Sequence, residues 1–188
     1  MAQETGLSTL SLAILGLISQ RPLTGYELRK VFATTPIGHF SSSPGAIYPA
    51  LRRIEEAGWV RGKMGEGKTR RERVVYEITA RGPRTLKRHL SRPVIRDDVI
   101  WHMDDLMMRF AFMDPIVGRE MTLQFLRTFA SELQAHATEL RHYLDSVRQV
   151  MPPCGRLAME SGIQGYEMNA AWARRAIEEL QGNSREAD

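Results

Sequence analysis

Ser41-Ser42-Ser43-Pro44-Gly45-Ala46-Ile47-Tyr48-Pro49-Ala50-Leu51-Arg52-Arg53-Ile54-Glu55-Glu56-Ala57-Gly58 carries more structural information than any other segment of the sequence. It reads as one helix with marked ends. Ser43 is placed to cap the first amides, and Pro44 suits the first helical position, where its missing N–H is no loss. Gly58 stands where a left-handed C-terminal residue belongs. Ile47, Leu51 and Ile54 recur at helical spacing and make a stripe to bury. Gly45, Tyr48 and Arg52 share a second face, small, aromatic and cationic, which suits a helix pressed into a phosphate-lined groove. Pro49 lies inside this helix, where it is expected to cost one hydrogen bond and to crowd the carbonyl of residue 45.

After Gly58 the period changes from helix to strand. Trp59 to Met64 is short and extended, Gly65 to Arg70 is a turn, and Arg71 to Ile78 alternates, with Val74, Tyr76 and Ile78 on one side. Two strands around a Gly-rich turn make a hairpin. It carries Arg61, Lys63, Lys68, Arg70, Arg71 and Arg73. The glycine spacing matches neither the P-loop nor the dinucleotide fingerprint, so no nucleotide cofactor is expected. Upstream, Leu7 to Gln20 reads as a helix with Leu7, Leu10, Ala13, Ile14, Leu17 and Ile18 on a wide apolar face. Thr24 and Glu27 form a capping box for a second helix, about 25–34, burying Tyr26 or Leu28 and Val31 or Phe32. Thr79 is placed to cap a fourth helix, about 80–90, and Ser91-Arg92-Pro93 marks a boundary. Three helices and a basic hairpin in this order make a winged helix-turn-helix over residues 1–92.

The net charge of +4 hides an asymmetry. Residues 1–92 hold 16 Lys and Arg against 7 Asp and Glu, a net +9; residues 93–188 hold 10 against 15, a net −5, with no lysine. A cationic half points to a polyanion partner. The longest apolar run, Leu12 to Ile18, is too short to span a bilayer, and no signal-peptide pattern is visible, so a cytoplasmic protein without a membrane partner is expected. The single cysteine, Cys154, rules out an intrachain disulfide and fits a reducing compartment. No His/Cys/Asp/Glu set has metal-ligand spacing, and no nucleophile–base or paired-carboxylate arrangement can be placed, so neither a metal nor an enzyme is expected.

Four segments carry a resemblance. Leu12-Ala13-Ile14-Leu15-Gly16-Leu17-Ile18, Leu23-Thr24-Gly25-Tyr26-Glu27-Leu28, Ser43 to Glu55, and Tyr76-Glu77-Ile78-Thr79-Ala80-Arg81-Gly82 are collinear with the PadR family of bacterial transcriptional regulators, which the first ninety or so residues resemble. Thr24 stands where many members have His, and Trp59 where Leu is usual. The resemblance implies a dimeric repressor on a near-palindromic double-stranded DNA operator, often relieved by a small molecule, with Tyr48 and its helix facing the DNA.

The second half, 93–188, reads as all helix. One helix is expected over Val94 to Met113, a second from Asp114-Pro115 to about Met151, and a third over Arg156 to Gln181. In the second, Leu126, Phe129, Leu133, His136, Leu140, Tyr143, Val147 and Val150 alternate at spacings of three and four, an a/d seam. Met159, Ile163, Tyr166, Ala170, Ala173, Ile177 and Leu180 repeat the pattern in the third. Two long seams on so few helices imply a partner, most simply a second copy about a two-fold axis. The expected architecture is mainly α with a small β hairpin: an N-terminal winged helix-turn-helix plus a C-terminal helical dimerisation domain, which this half also resembles in the longer PadR proteins, notably at Gly165-Tyr166-Glu167 and Trp172.

The candidate DNA-side residues are therefore Ser41, Ser42, Ser43, Gly45, Tyr48 and Arg52 on the helix, with Lys63, Lys68, Arg70 and Arg71 on the hairpin. Hydroxyls and lysines suit phosphates, and arginine also reads guanine. The candidate dimer interface is Leu126, Phe129, Leu133, Leu140, Tyr143, Val147, Ile163, Tyr166, Ala170, Ala173 and Ile177. Trp101, Met107, Phe110, His136 and Trp172, in a chain with ten methionines, are candidates for a pliable site taking an apolar or aromatic effector. The competing reading keeps the fold but makes the basic face a docking surface for an acidic protein.

Overall fold

The computed structural model describes residues 7–35, 37, 44–65 and 74–182. The chain divides into two compact units, Met1–Arg92 with Met107–Val117, and Pro93–Leu106 with Gly118–Asp188. Segment 107–117 thus packs with the first ninety-two residues.

The first unit is built around α1, Thr9–Gln20, whose N-terminus is capped by the Ser8 hydroxyl accepting from the Ser11 amide (3.2 Å). Leu12, Ala13, Ile14 and Leu15 are all fully buried, so α1 is covered on more sides than the one wide face its pattern suggests. The helices Ile47–Glu56 and Arg81–Leu90 and the strand Val74–Ile78 pack on it. Leu23–Thr24 forms a two-residue strand, β1, and Thr24 then caps α2, Gly25–Thr34. The capping box is reciprocal: Glu27 N–H donates to the Thr24 hydroxyl (3.1 Å), and Thr24 N–H donates to the Glu27 carboxylate (2.8 Å). Leu28 and Phe32 are the buried apolar side chains of this helix, while Tyr26 is exposed.

Helix α3 is Ile47–Glu56, preceded by a 3₁₀ turn at Pro44–Ala46. The expected Ser43 cap lies outside the described residues; the N-cap position is Ala46, which makes no side-chain cap bond. Pro49 corrects the sequence reading. Because the regular helix starts at Ile47, Pro49 falls in its first turn, among amides that have no intrahelical acceptor anyway. No bond is lost. Ile47, Ala50, Leu51 and Ile54 are buried, as the stripe predicts with one alanine added. Gly58 has φ +72°, the left-handed conformation expected after the helix end.

Strands β2, Val60–Met64, and β3, Val74–Ile78, pair antiparallel, with Val60 opposite Ile78, Arg61 opposite Glu77 and Gly62 opposite Tyr76. Strand β1 adds to the other side of β3, giving the order β1-β3-β2. Thr79 ties this sheet to the next helix, α4, Arg81–Leu90. The N-cap position is Ala80, with no side-chain cap bond, rather than Thr79 as expected; the Thr79 hydroxyl instead accepts from the Arg81 amide (3.2 Å) and donates to the Gly58 carbonyl (2.7 Å) just past α3.

Downstream the helix boundaries differ from the expected ones. The single helix read over Val94 to Met113 is α5, Arg96–Trp101, then α6, Met103–Ala111, with Met113 opening α7, Met113–Val117. The next helix starts not at Asp114 but after Gly118, whose φ of +86° breaks the chain direction. That helix, α8, is Arg119–Val147, and α9 is Pro153–Gly182, with Pro153 rather than Arg156 at its first position. Arg141 pairs with Glu167 and Arg174 donates to Gln134, so α8 and α9 run antiparallel.

Candidate nucleic-acid interface

The burial of one stripe of α3 fixes what its other side offers. Gly45 before the helix and Pro49, Arg52, Arg53 and Glu56 on it are exposed, and Tyr48 is half-buried. Tyr48 is seated by α2. A Cβ added to Gly25, the first residue of that helix, would lie 2.7 Å from Tyr48 Cε1. The ring therefore rests on bare backbone at the start of α2, which sets where its hydroxyl can go. Ser41, Ser42 and Ser43 lie outside the described residues.

On the hairpin, Lys63 is half-exposed and its Nζ lies 2.5 Å from Glu77 Oε2. Arg61 Nη2 approaches the same oxygen at 4.0 Å. Arg61 faces Glu77 directly across the strands, so all three side chains share one face. A cation free to meet a phosphate was the sequence expectation for Lys63; the structure places a carboxylate on it. Glu77 was missed because alternation marks its side of the strand but not its register against Arg61. Lys68, Arg70 and Arg71 lie outside the described residues. Gly62, on the same edge strand, donates its N–H to Glu55 Oε1 on α3 at 2.8 Å. Arg81, Arg84, Lys87 and Arg88 are exposed on α4.

A second residue that the sequence reading missed is Arg109, only 1% exposed. Its guanidinium donates to the carbonyls of Leu90 (3.4 Å) and Arg92. Leu90 is the last residue of α4, where a cation is favoured by the helix dipole, and Arg92 lies two residues beyond it. Its position inside the apolar run Met107-Met108-Arg109-Phe110-Ala111-Phe112 was the available signal.

The candidate effector residues are divided. Met107 and Phe110 belong to the first unit; Trp101, His136 and Trp172 belong to the second. Trp101 is 74% exposed. His136 stands edge-on to Tyr166, with ring centroids 4.8 Å apart. Two cavities are lined by other residues. One of about 410 Å³ in the first unit is bounded by Ile78, Pro83, Leu86 and Ile116 with Arg84 and Lys87. A groove of about 630 Å³ in the second is bounded by Ala130, Gln134, Ala135, Thr138, Arg174 and Ile177, among others.

The expected dimer-interface residues divide by their burial within the one chain. Leu126, Phe129, Leu133, Ile163, Ala170 and Ala173 are buried within one chain, because α8 and α9 pack on each other. Leu140 and Tyr166 pack half-buried against the cluster of Ala137, Leu144 and Ile163. Val147 and Ile177 are half-buried, and Tyr143 is 54% exposed. Among the described residues no helix is long and apolar enough to cross a membrane.

Two family models and several known proteins are similar to this chain. Residues 14–88 match the family model of PadR-like transcriptional regulators. Residues 104–181 match the model of the virulence activator alpha C-terminal region. The negative transcriptional regulator PadR of Bacillus subtilis is 23% identical over 160 residues, 85% of each chain. Among solved structures, a PadR-like regulator of Bacillus cereus is 22% identical over 93% of this chain and 99% of its own, with a TM-score of 0.38. Bacillus subtilis PadR bound to operator DNA is 19% identical over 91% and 98%, with a TM-score of 0.40. The same protein bound to p-coumaric acid is 17% identical over 96% and 99%, with a TM-score of 0.42. The helix–hairpin segment, residues 14–88, is thus similar to the PadR-like transcriptional regulators, and the helices of 104–181 to the virulence activator alpha C-terminal region.

Proposed function

We propose that this regulator is a homodimeric repressor whose first unit binds a pseudo-palindromic operator through α3 and the hairpin. One observation carries the reading. The buried stripe of α3 leaves Tyr48 and Arg52 on its outer side, and the chain passes at Gly58 directly into the hairpin that holds Arg61 and Lys63. In this reading α3 enters the major groove and the hairpin meets the backbone, with half-sites about one helical turn apart. The direction of control follows the Bacillus subtilis relative, a negative regulator. Homodimerisation through the second unit draws support from apolar side chains left outside its core, including Tyr143, Leu157 and Met168 (64% exposed). Release from DNA by a small aromatic or apolar molecule completes the reading. Such a molecule releases DNA only by binding the DNA-incompetent arrangement more tightly.

The test is a titration of a fluorescent duplex from upstream of the protein's own gene against a scrambled duplex, at several salt concentrations. A preference of about a thousandfold with a steep salt slope supports the repressor. Light scattering in the same buffer gives the oligomeric state. p-Coumaric acid, the ligand in the Bacillus subtilis structure, is the first compound to add, with Trp101 fluorescence as the reporter. The Glu77 carboxylate on Lys63 favours a second reading, a winged-helix adaptor for an acidic protein, since it weakens the hairpin as a polyanion surface. Equal, weak binding to both duplexes would select it.

A further inference from the structure

We infer that Glu55 is a positioning residue for DNA binding, its carboxylate latching the edge strand of the hairpin to the end of the recognition helix. The inference rests on the proposal that α3 and the hairpin contact DNA together. The angle between these two elements then decides whether both reach the duplex at once.

The root of the hairpin is already fixed. Gly58 N–H bonds to the Glu55 carbonyl (2.8 Å), and Trp59 N–H bonds to the Ile54 carbonyl (3.0 Å). Thr79 holds the same corner through the Gly58 carbonyl. Those bonds stop at residue 59. Gly62 lies three residues further along β2, roughly 10 Å from that root. There Glu55 Oε1 accepts the Gly62 N–H at 2.8 Å. A brace at that distance limits rotation of the hairpin far better than a bond at the hinge. Lys63 is the next residue, so its position follows the latch.

The strand is cut to receive the carboxylate. A Cβ at Gly62 would lie 2.9 Å from Glu55 Oε1, 2.8 Å from Val74 Cγ1 and 3.4 Å from Tyr76 Cε1. Only glycine lets the carboxylate and the two β3 side chains close on that point. Glu55 is, moreover, an anion on a helix whose outer side carries Arg52 and Arg53. Toward a polyanion its charge is unfavourable. Its charge and its latch therefore push DNA affinity in opposite directions, and glutamine separates them by keeping the acceptor oxygen without the charge.

The experiment uses the full chain with Glu55→Gln and Glu55→Ala. Amide exchange at Gly62 is measured alongside titration of the upstream and scrambled duplexes at several salt concentrations. With Glu55→Gln, Gly62 stays protected and DNA binds at least as tightly as to the parent. With Glu55→Ala, protection of Gly62 falls, affinity drops about fivefold, and the log–log salt slope becomes shallower by about one as a hairpin phosphate contact is lost. Gly62→Ala reproduces the Glu55→Ala phenotype, and matched thermal midpoints show that the variants are folded. Equal exchange at Gly62 in all three proteins would overturn the latch. Protected exchange lost in Glu55→Ala, with DNA binding as tight as in Glu55→Gln, would overturn the positioning role. A parent with no salt-dependent binding would overturn the DNA reading and this role with it, while the exchange data still report the bond itself.

Discussion

Replacing Gly25 with Ala isolates the seat of Tyr48. Gly25 does not have positive φ, so alanine fits its backbone. By chain entropy alone, Gly25→Ala would stabilise the protein by about 0.4–1 kcal/mol. The added Cβ, however, would stand 2.7 Å from Tyr48 Cε1, where ordinary contact begins near 3.4 Å. The ring must retreat by roughly 0.7 Å or turn. Overpacking of this kind costs about 1–3 kcal/mol. Tyr48 is only half-buried and has room to yield, so the low end applies and the net stability change is within about 1 kcal/mol. DNA affinity should suffer more than stability. A phosphate bond of about 2.8 Å from the Tyr48 hydroxyl, stretched by that distance, reaches about 3.5 Å, the limit of a hydrogen bond, and is largely lost. Losing it costs about 1–1.5 kcal/mol, roughly five- to fifteenfold in Kd. Fluorescence anisotropy on the upstream duplex measures this, in parent, Gly25→Ala, Tyr48→Phe and the double variant. The two changes should not add, because both remove one hydroxyl contact. Full additivity, or an unchanged Kd in Gly25→Ala, would refute the reasoning.

Glu77→Gln frees Lys63 and Arg61 for phosphates; binding to every duplex should tighten and the salt slope steepen by about one unit, an effect that a Lys63→Ala background should reduce. Arg109→Met removes the donors to the Leu90 and Arg92 carbonyls and should lower stability by about 2–3 kcal/mol in urea titrations. The Thr24 amide holds the Glu27 carboxyl below its ordinary value, against the opposing effect of partial burial. Glu27 thus adds stability that is complete above the ordinary carboxylate pKa of about 4.3 and is lost as pH falls through its lowered value. Glu27→Ala should flatten that part of the stability–pH curve, with a cost of about 1 kcal/mol at neutral pH.

The features legible in the sequence share a short range. Thr24 and Glu27 are three residues apart, so their capping box needs no partner from elsewhere. Gly58 ends a helix because the next turn demands positive φ, a property of one residue and its neighbours. The stripe of Ile47, Leu51 and Ile54 announces a buried face at helical spacing. Strand β1 was not legible, since two residues carry no alternation and Leu23–Thr24 becomes a strand only by lying beside β3. The breaks near His102 and Phe112 were hidden by apolar positions that keep their spacing across both.

The sequence alone therefore determined the three N-terminal helices, the hairpin and the helix that follows it, their order and the excess of cationic charge on them. These depend on backbone torsions, caps and periodicity, whose energies are settled within a turn or two. Tertiary structure decided which surfaces meet. The a/d seam of α8 says that Leu126, Phe129 and Leu133 must be covered, but apolar burial is non-directional and accepts any apolar surface. The chain turned back and α9 packed on α8, so these three are buried within one copy, while Tyr143 further along the seam stays exposed. The same holds for charge. Glu77 on Lys63, Glu55 on Gly62 and Arg109 on the end of α4 are pairings across elements, fixed by strand register and helix packing rather than by spacing along the chain.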